Sequence, residues 1–179
     1  MFKIIKKEPL NPSMTRMVIE APFVARKAMP GQFIILRVNE TGERIPLTIA
    51  DYDREAGTVT IIYQKVGKST LLLDQQEEGG YILDFIGPLG KASELEGYKK
   101  AAVIGGGAGC AIAYPQAKAL HAMGVKVDMI AGFRDKDLII LENEMREASD
   151  NLIVMTDDGS NGNKGFVTAA LQKNIDEGA

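Results

Sequence analysis

The chain has 179 residues, of which 45% are hydrophobic and 25% charged, with a formal net charge of -3. That composition excludes a disordered or fibrous protein, the weak negative charge removes any electrostatic reason to bind nucleic acid or an acidic membrane surface, and the length accommodates one large domain or two small ones. The single cysteine, Cys110, excludes an internal disulfide and cannot alone hold an iron–sulfur cluster or a structural zinc, so no metal site is expected.

At the N-terminus, Lys3, Lys6 and Lys7 interrupt the chain before the apolar region of a signal peptide could form. The longest uncharged stretch, Ala101 to Gln116, is glycine-rich and shorter than the roughly 18 residues of a membrane span. A soluble protein, compatible with a reducing cytoplasm, is the expectation.

The first half reads as strands. Met14 to Glu20, Gln32 to Val38 and Thr58 to Tyr63 are short β-rich runs, separated by turn signals at Pro30-Gly31, Asn39 to Gly42 and Glu55 to Gly57. This spacing predicts a small antiparallel barrel. Arg44-Ile45-Pro46-Leu47-Thr48 is a further strand-like segment that sets a fixed cation, a backbone kink and a hydroxyl side by side. Ser69 to Gln76 reads as one short helix ended by Gly79-Gly80, Tyr81 to Ile86 as a returning strand, and Gly87-Pro88-Leu89-Gly90 as a break. Lys91 to Lys100 is a polar connector, and a domain boundary is expected near Gly97, giving domains 1–97 and 98–179.

Beyond it the rhythm changes to alternating strand and helix. Strands are expected at Ala101 to Ile104, Val125 to Ala131 and Asn151 to Met155, with helices at Ala111 to Met123, Asp137 to Ser149 and Gly165 to Ile175. Three successive βα units imply a parallel sheet with right-handed crossovers.

Three segments carry phosphate-binding chemistry. Arg44 offers a forked donor to phosphate, although an isolated arginine is commonly a solvated strand residue. Gly67-Lys68-Ser69-Thr70 resembles the tail of a nucleoside-triphosphatase loop, but Ile62 stands where that loop needs its first glycine. What survives is a glycine turn and helix start suited to a diphosphate, or an ordinary helix cap. Gly105, Gly106, Gly107, Ala108 and Gly109 lie between a strand and a helix, as a dinucleotide turn requires, yet Cys110 occupies the third fingerprint position. A tight strand-to-helix turn without a ligand is the other reading. Asp128 falls inside its strand and is not taken as the ribose acid. Cys110 reads as a buried packing residue in preference to an activated thiol.

Taken in order, Arg44 to Asp51, Val66 to Thr70, Gly87 to Gly90, Gly105 to Gly109 with Tyr114-Pro115, Gly132-Phe133-Arg134, and Thr156 to Ser160 with Gly165 resemble the ferredoxin–NADP reductase superfamily. The similarity is to small subunits of NADH-dependent reduced ferredoxin:NADP oxidoreductases and to electron-transfer subunits of dihydroorotate dehydrogenases. It implies a flavin-binding antiparallel β-barrel followed by a parallel-sheet α/β nucleotide domain, incomplete at its C-terminus. By that resemblance Arg44 pairs with the FAD pyrophosphate, Pro46, Leu47 and Thr48 line the isoalloxazine, and Ile45 counts with them among the cofactor-binding residues. Gly67, Lys68, Ser69 and Thr70 complete the diphosphate and adenosine side. Gly105 to Gly109, Arg134, Asp157, Asp158 and Gly159 hold NAD(P)H. Hydride transfer itself needs positioning and no protein acid or base, so no catalytic side chain is expected.

The resemblance also implies a cysteine-rich [2Fe-2S] segment that this sequence does not contain, a larger oxidoreductase partner subunit carrying flavin or iron–sulfur centres, and an unpaired sheet edge at Ala101 to Ile104 through which the chain would associate. The expected function is passage of hydride from NAD(P)H to FAD and of electrons to an iron–sulfur partner. The alternative is a non-catalytic nucleotide-binding or assembly module.

Overall fold

A computed structural model describes residues 1–176, and the chain divides into two compact units, Met1–Ser93 and Glu94–Ala179. In the first unit the strands are β1 (Phe2–Asn11), β2 (Met14–Glu20), β3 (Phe33–Arg37), β4 (Ile45–Asp53), β5 (Thr58–Gln64), β6 (Tyr81–Ile82) and β7 (Asp84–Leu89), with helices α1 (Pro22–Lys27) and α2 (Lys68–Asp74). They form one sheet in the order β6-β1-β2-β5-β4-β3-β7, and the pairings are antiparallel. The stretch from Tyr81 to Leu89 belongs to both ends of that order. Its first part pairs with β1 and its second with β3, while the Leu83 amide between them donates to the Val38 carbonyl at 3.1 Å. One chain segment thereby nearly closes the barrel and leaves little free edge.

Alternation explains the core. Met17 and Ile19 on β2, Ile34 and Leu36 on β3, and Val59, Ile61 and Tyr63 on β5 point inward at every second position, joined by Ile4, Ile49, Leu73 and Ile82. Helix α1 begins at Pro22, whose fixed φ suits a first helical turn, and contributes Val24 and Ala25 to this core.

The second unit has strands β8 (Lys100–Gly106), β9 (Lys126–Phe133) and β10 (Asn151–Thr156), with helices α3 (Cys110–Ala122), α4 (Glu142–Glu147) and α5 (Val167–Asp176). The sheet order is β10-β9-β8, all parallel and in continuous register from Lys100↔Lys126 to Gly106↔Gly132 and from Asn151↔Asp128 to Thr156↔Phe133. Among the described residues β8 pairs on one side only, and Ile104 is 39% exposed there. The centre of the sheet is β9, where Val127, Met129, Ile130 and Ala131 are wholly buried. No helix among the described residues is long and apolar enough to cross a membrane.

Two local expectations are corrected. The strand expected at Tyr81 to Ile86 is two strands at opposite ends of the sheet, and it runs through Gly87-Pro88 to Leu89 because an irregularity between Phe33 and Ile35 absorbs that pair. The helix expected over Asp137 to Ser149 is a 3-10 turn at Lys136–Leu138 followed by the shorter α4. Asp135 caps the turn, accepting from the Asp137 and Leu138 amides at 3.0 and 3.2 Å. Ile140 and Leu141 are then buried one after the other, which a continuous helix face does not allow, and Leu141 takes φ 56° to redirect the chain. Two further elements, β1 and α1, carry little local signal: the lysines of β1 mask its alternation, and α1 is short.

Candidate functional site

In the barrel, β4 changes partners along its length. Ile45 to Thr48 pair with β3, from Leu36↔Ile45 to Phe33↔Thr48, whereas the ladder with β5 begins only at Ile49↔Ile61. Among the described residues no strand pairs with the other side of Ile45 to Thr48, so their outward backbone groups are available to a ligand. Leu47 and Thr48 are half-buried, Pro46 is exposed, and Arg44, just before the strand, has a side chain 55% exposed.

The Gly67 to Thr70 turn lies next to this segment, because the Ser69 hydroxyl donates to the Glu43 carboxylate at 3.3 Å. Thr70 organises the turn: its Oγ1 accepts from the amides of Val66 and Gly67, both at 3.1 Å. A Cβ placed on Gly67 would meet nothing within 4 Å, so the space above the turn is open. Lys68 is exposed, and among the described residues it makes no ion pair. Arg44 donates through Nη2 to Asp84 Oδ2 at 3.1 Å, and its other N–H groups have no partner among the described residues.

Helix α2 is tied to the barrel at its far end by Asp74. Its Oδ1 accepts from Thr15 Oγ1 at 2.7 Å and from the Tyr63 hydroxyl at 3.2 Å, and Lys65 Nζ lies 3.7 Å from Oδ2. Burial pushes the Asp74 carboxyl up, but the Thr15 hydrogen bond and the nearby Lys65 and Lys7 ammonium groups outweigh it, and the group ionises below its ordinary value. Burial and the neighbouring Asp74 charge raise the Tyr63 hydroxyl well above its usual range.

In the second unit, the remaining candidates lie at or just beyond the carboxyl ends of parallel strands, where ligands of open α/β sheets bind, and Gly105 and Gly106 are the last two residues of β8. Gly107 to Gly109 form a 3-10 turn directly after β8, Arg134 follows β9, and Asp157 to Gly159 follow β10. Gly105 and Gly107 are glycine for different reasons. A Cβ on Gly105 would lie 2.9 Å from Cys110 Cα and 3.1 Å from Ala113 Cβ, so this residue permits α3 to pack on β8. Gly107 has φ 50° and open space beside it. Gly106 and Ala108 are exposed, and Gly109 also faces open space.

The loops after β9 and β10 are knitted together. The Asp157 amide donates to the Phe133 carbonyl at 3.0 Å, the Asp158 amide to the Arg134 carbonyl at 3.3 Å, and the Lys136 amide to Ser160 Oγ at 2.8 Å. Hydrogen bonds from Ser160 hold the Asp158 carboxyl below its ordinary range. Asn161, which belongs to no sequence motif, stabilises this loop: its Oδ1 accepts from the wholly buried Thr156 hydroxyl at 2.7 Å and its Nδ2 donates to the Val154 carbonyl at 2.9 Å. The Arg134 side chain is exposed and has no ion-pair partner among the described residues.

Asp128 is 3% exposed and accepts from Asn151 Nδ2 at 2.6 Å and Asn174 Nδ2 at 3.3 Å, a structural tie between β9, β10 and α5. Cys110 is buried, and burial pushes its thiol up to about 12. A lone, enclosed cysteine does not fit an iron–sulfur cluster, and no group of three or more metal-ligating side chains occurs among the described residues.

A nearly closed antiparallel barrel in one unit and a parallel sheet with a glycine turn in the other define a ferredoxin-reductase-like fold. A chain of the NADH-dependent reduced ferredoxin-NADP oxidoreductase, solved in work on flavin-based electron bifurcation, superposes with TM-score 0.91 at 43% identity, over 98% of this chain and 63% of that one. The dihydroorotate dehydrogenase B electron-transfer subunit homolog of Thermotoga maritima is 45% identical over 96% of this chain and 60% of its own length. The dihydroorotate dehydrogenase B electron-transfer subunit of Streptococcus mutans is 35% identical over 97% of this chain and 67% of its own length. The chain belongs to this family of electron-transfer subunits of NAD-dependent oxidoreductases. It spans about three fifths of the length of the more similar of these relatives. No family model matches the chain.

Proposed function

We propose that this chain binds FAD on its barrel and NAD(P)H on its second unit, and that it passes reducing equivalents from the nicotinamide through the flavin to an iron–sulfur-containing partner. The observation that carries the proposal is the unpaired edge of Ile45 to Thr48, which begins at an exposed arginine and lies beside the open Gly67 to Thr70 turn. The Arg44 fork and the Lys68 ammonium would meet the diphosphate, with the helix-start amides of Lys68 and Ser69 as further donors. Leu47 and Thr48 would supply an apolar wall and a hydroxyl against the isoalloxazine. Bound FAD supplies what the chain's own side chains lack, acceptance of two electrons from a nicotinamide and their release one at a time.

In the second unit the open backbone of Gly106 to Gly109 would approach the nicotinamide dinucleotide, the dipole of α3 would favour its pyrophosphate, and Arg134 with Asp157 to Gly159 would hold its remaining part. These residues bind and orient, which is the contribution that hydride passage asks of a protein. The partner would be a larger oxidoreductase subunit; the relatives' names, electron-transfer subunits of a dihydroorotate dehydrogenase, support the existence of a second subunit.

Titration of the flavin-free protein with FAD, followed by anaerobic addition of NADH or NADPH, tests this reading. Quenched flavin fluorescence and then loss of the yellow absorbance are expected. A protein that takes up no flavin would favour the non-catalytic module. Arg44→Ala should weaken FAD binding by a hundredfold or so, equivalent to about 2.7 kcal/mol for the loss of charge-assisted bonds to phosphate, and unchanged affinity would remove Arg44 from the site.

A further inference from the structure

Asp84 belongs to none of the sequence motifs, yet one of its oxygens meets two arginines. Asp84 Oδ2 accepts from Arg37 Nε at 2.8 Å and from Arg44 Nη2 at 3.1 Å. Arg37 is its cross-strand partner, Arg37↔Asp84, at the end of the β3–β7 ladder. Arg44 comes from the opposite side of β3, immediately before the Ile45↔Leu36 pair of β4. Three neighbouring strands thus deliver two cations and one anion to a single point.

The two ion pairs differ in exposure. Arg37 and Asp84 are 24% and 28% exposed, while Arg44 is 55% exposed. The Arg37–Asp84 pair is therefore the sheltered base of the cluster, and Arg44 is its solvent-facing arm. Without the carboxylate the two guanidinium groups would repel each other, and the exposed arm would be the one to swing away. With it, one of Arg44's five N–H donors is held and the others remain available. A long side chain restrained before its ligand arrives loses less freedom on binding.

On the reading that FAD binds the barrel through Arg44, we propose that Asp84 is the positioning residue for that contact: it anchors the guanidinium against Arg37 so that the free side of the fork is presented to the flavin diphosphate. Arg37 then serves as the permanent counter-ion that keeps Asp84 in place. The cluster carries a net charge of one positive unit, so the anchor does not cancel the attraction for an anion.

The full-length chain, titrated with FAD and followed by flavin fluorescence, tests the proposal in wild type, Asp84→Ala, Asp84→Asn, Asp84→Glu, Arg44→Ala and the Arg44→Ala/Asp84→Ala double variant. Asp84→Ala should weaken FAD about tenfold, or about 1.4 kcal/mol. Asp84→Asn, which keeps an acceptor, should lose less, and Asp84→Glu should recover most of the affinity. In the Arg44→Ala background the Asp84→Ala change should cost less than about twofold, because its effect passes through Arg44. Thermal unfolding of each flavin-free variant shows whether the barrel is intact, and Asp84→Asn serves should Asp84→Ala not fold. Tighter FAD binding in Asp84→Asn would overturn the proposal by making Asp84 a repelling anion. A full tenfold loss persisting without Arg44 would overturn it by routing the effect through the barrel. Weakening by Arg44→Ala with no response to any Asp84 change would refute the positioning role alone, whereas an inert Arg44→Ala would refute the FAD assignment beneath it.

Discussion

Replacing Asp74 separates the stability of the barrel from its chemistry. The carboxylate accepts from Thr15, which is 1% exposed, at 2.7 Å and from Tyr63, 2% exposed, at 3.2 Å. Asp74→Ala leaves both hydroxyls without this acceptor in a nearly dry site, at a cost of about 1–3 kcal/mol for each orphaned donor. The Asp74 side chain is itself 25% exposed, so water can enter part of the vacated space, and the low end of each range gives about 2–3 kcal/mol in total. Asp74→Asn keeps the size and one acceptor and should cost about 1 kcal/mol. Urea denaturation followed by tyrosine fluorescence is a suitable assay, because Tyr52, Tyr63 and Tyr81 belong to the barrel.

The pH dependence has a definite sign. The folded Asp74 ionises below its ordinary value, so its contribution is fully present above the unfolded carboxylate pKa of about 4 and is lost as pH falls through the lower folded value. The stability gap between wild type and Asp74→Asn should stay constant from neutral pH down to about 5 and narrow below about 4. A loss under about 0.5 kcal/mol for Asp74→Ala, the scale of an ordinary surface substitution, or a gap that widens on acidification, would refute the reasoning.

Other expectations follow from the second unit. Gly105→Ala should destabilise by about 1–3 kcal/mol, since the added methyl meets backbone atoms of Cys110 that cannot step aside; urea midpoints with an unchanged m-value measure this. Cys110 should remain unreactive toward a disulfide reagent at mildly alkaline pH until the protein is denatured, because the enclosed thiol ionises only near 12. Asn161→Ala should orphan the Thr156 hydroxyl and cost about 1–3 kcal/mol; on the proposed function it should also weaken NADH or NADPH binding measured by calorimetry while leaving FAD binding unchanged.

Much of the local architecture is written in the chain. Short β-rich runs with turn residues between them point to a barrel, and the change to alternating strand and helix after Lys100 points to a parallel sheet, because backbone preference and side-chain periodicity are properties of neighbouring residues. The same locality explains the misses. Ile140 and Leu141 look like part of a helix until both are required in one core, and the lysines of β1 hide a strand that its pairing with β2 and β6 makes obvious.

The glycine turns and Arg44 were legible as candidates because phosphate chemistry restricts residue type. Their company was not. That Glu43 reaches Ser69, that the loop carrying Arg134 is laced to Asp157 and Ser160, and that Asp84 gathers Arg37 and Arg44 at one oxygen depend on strand order and register. The residues alone therefore determined which elements form and which side chains have suitable chemistry. Tertiary structure decided which of them meet, since pairing between distant strands is set by the packing of the whole core and not by any short stretch of chain.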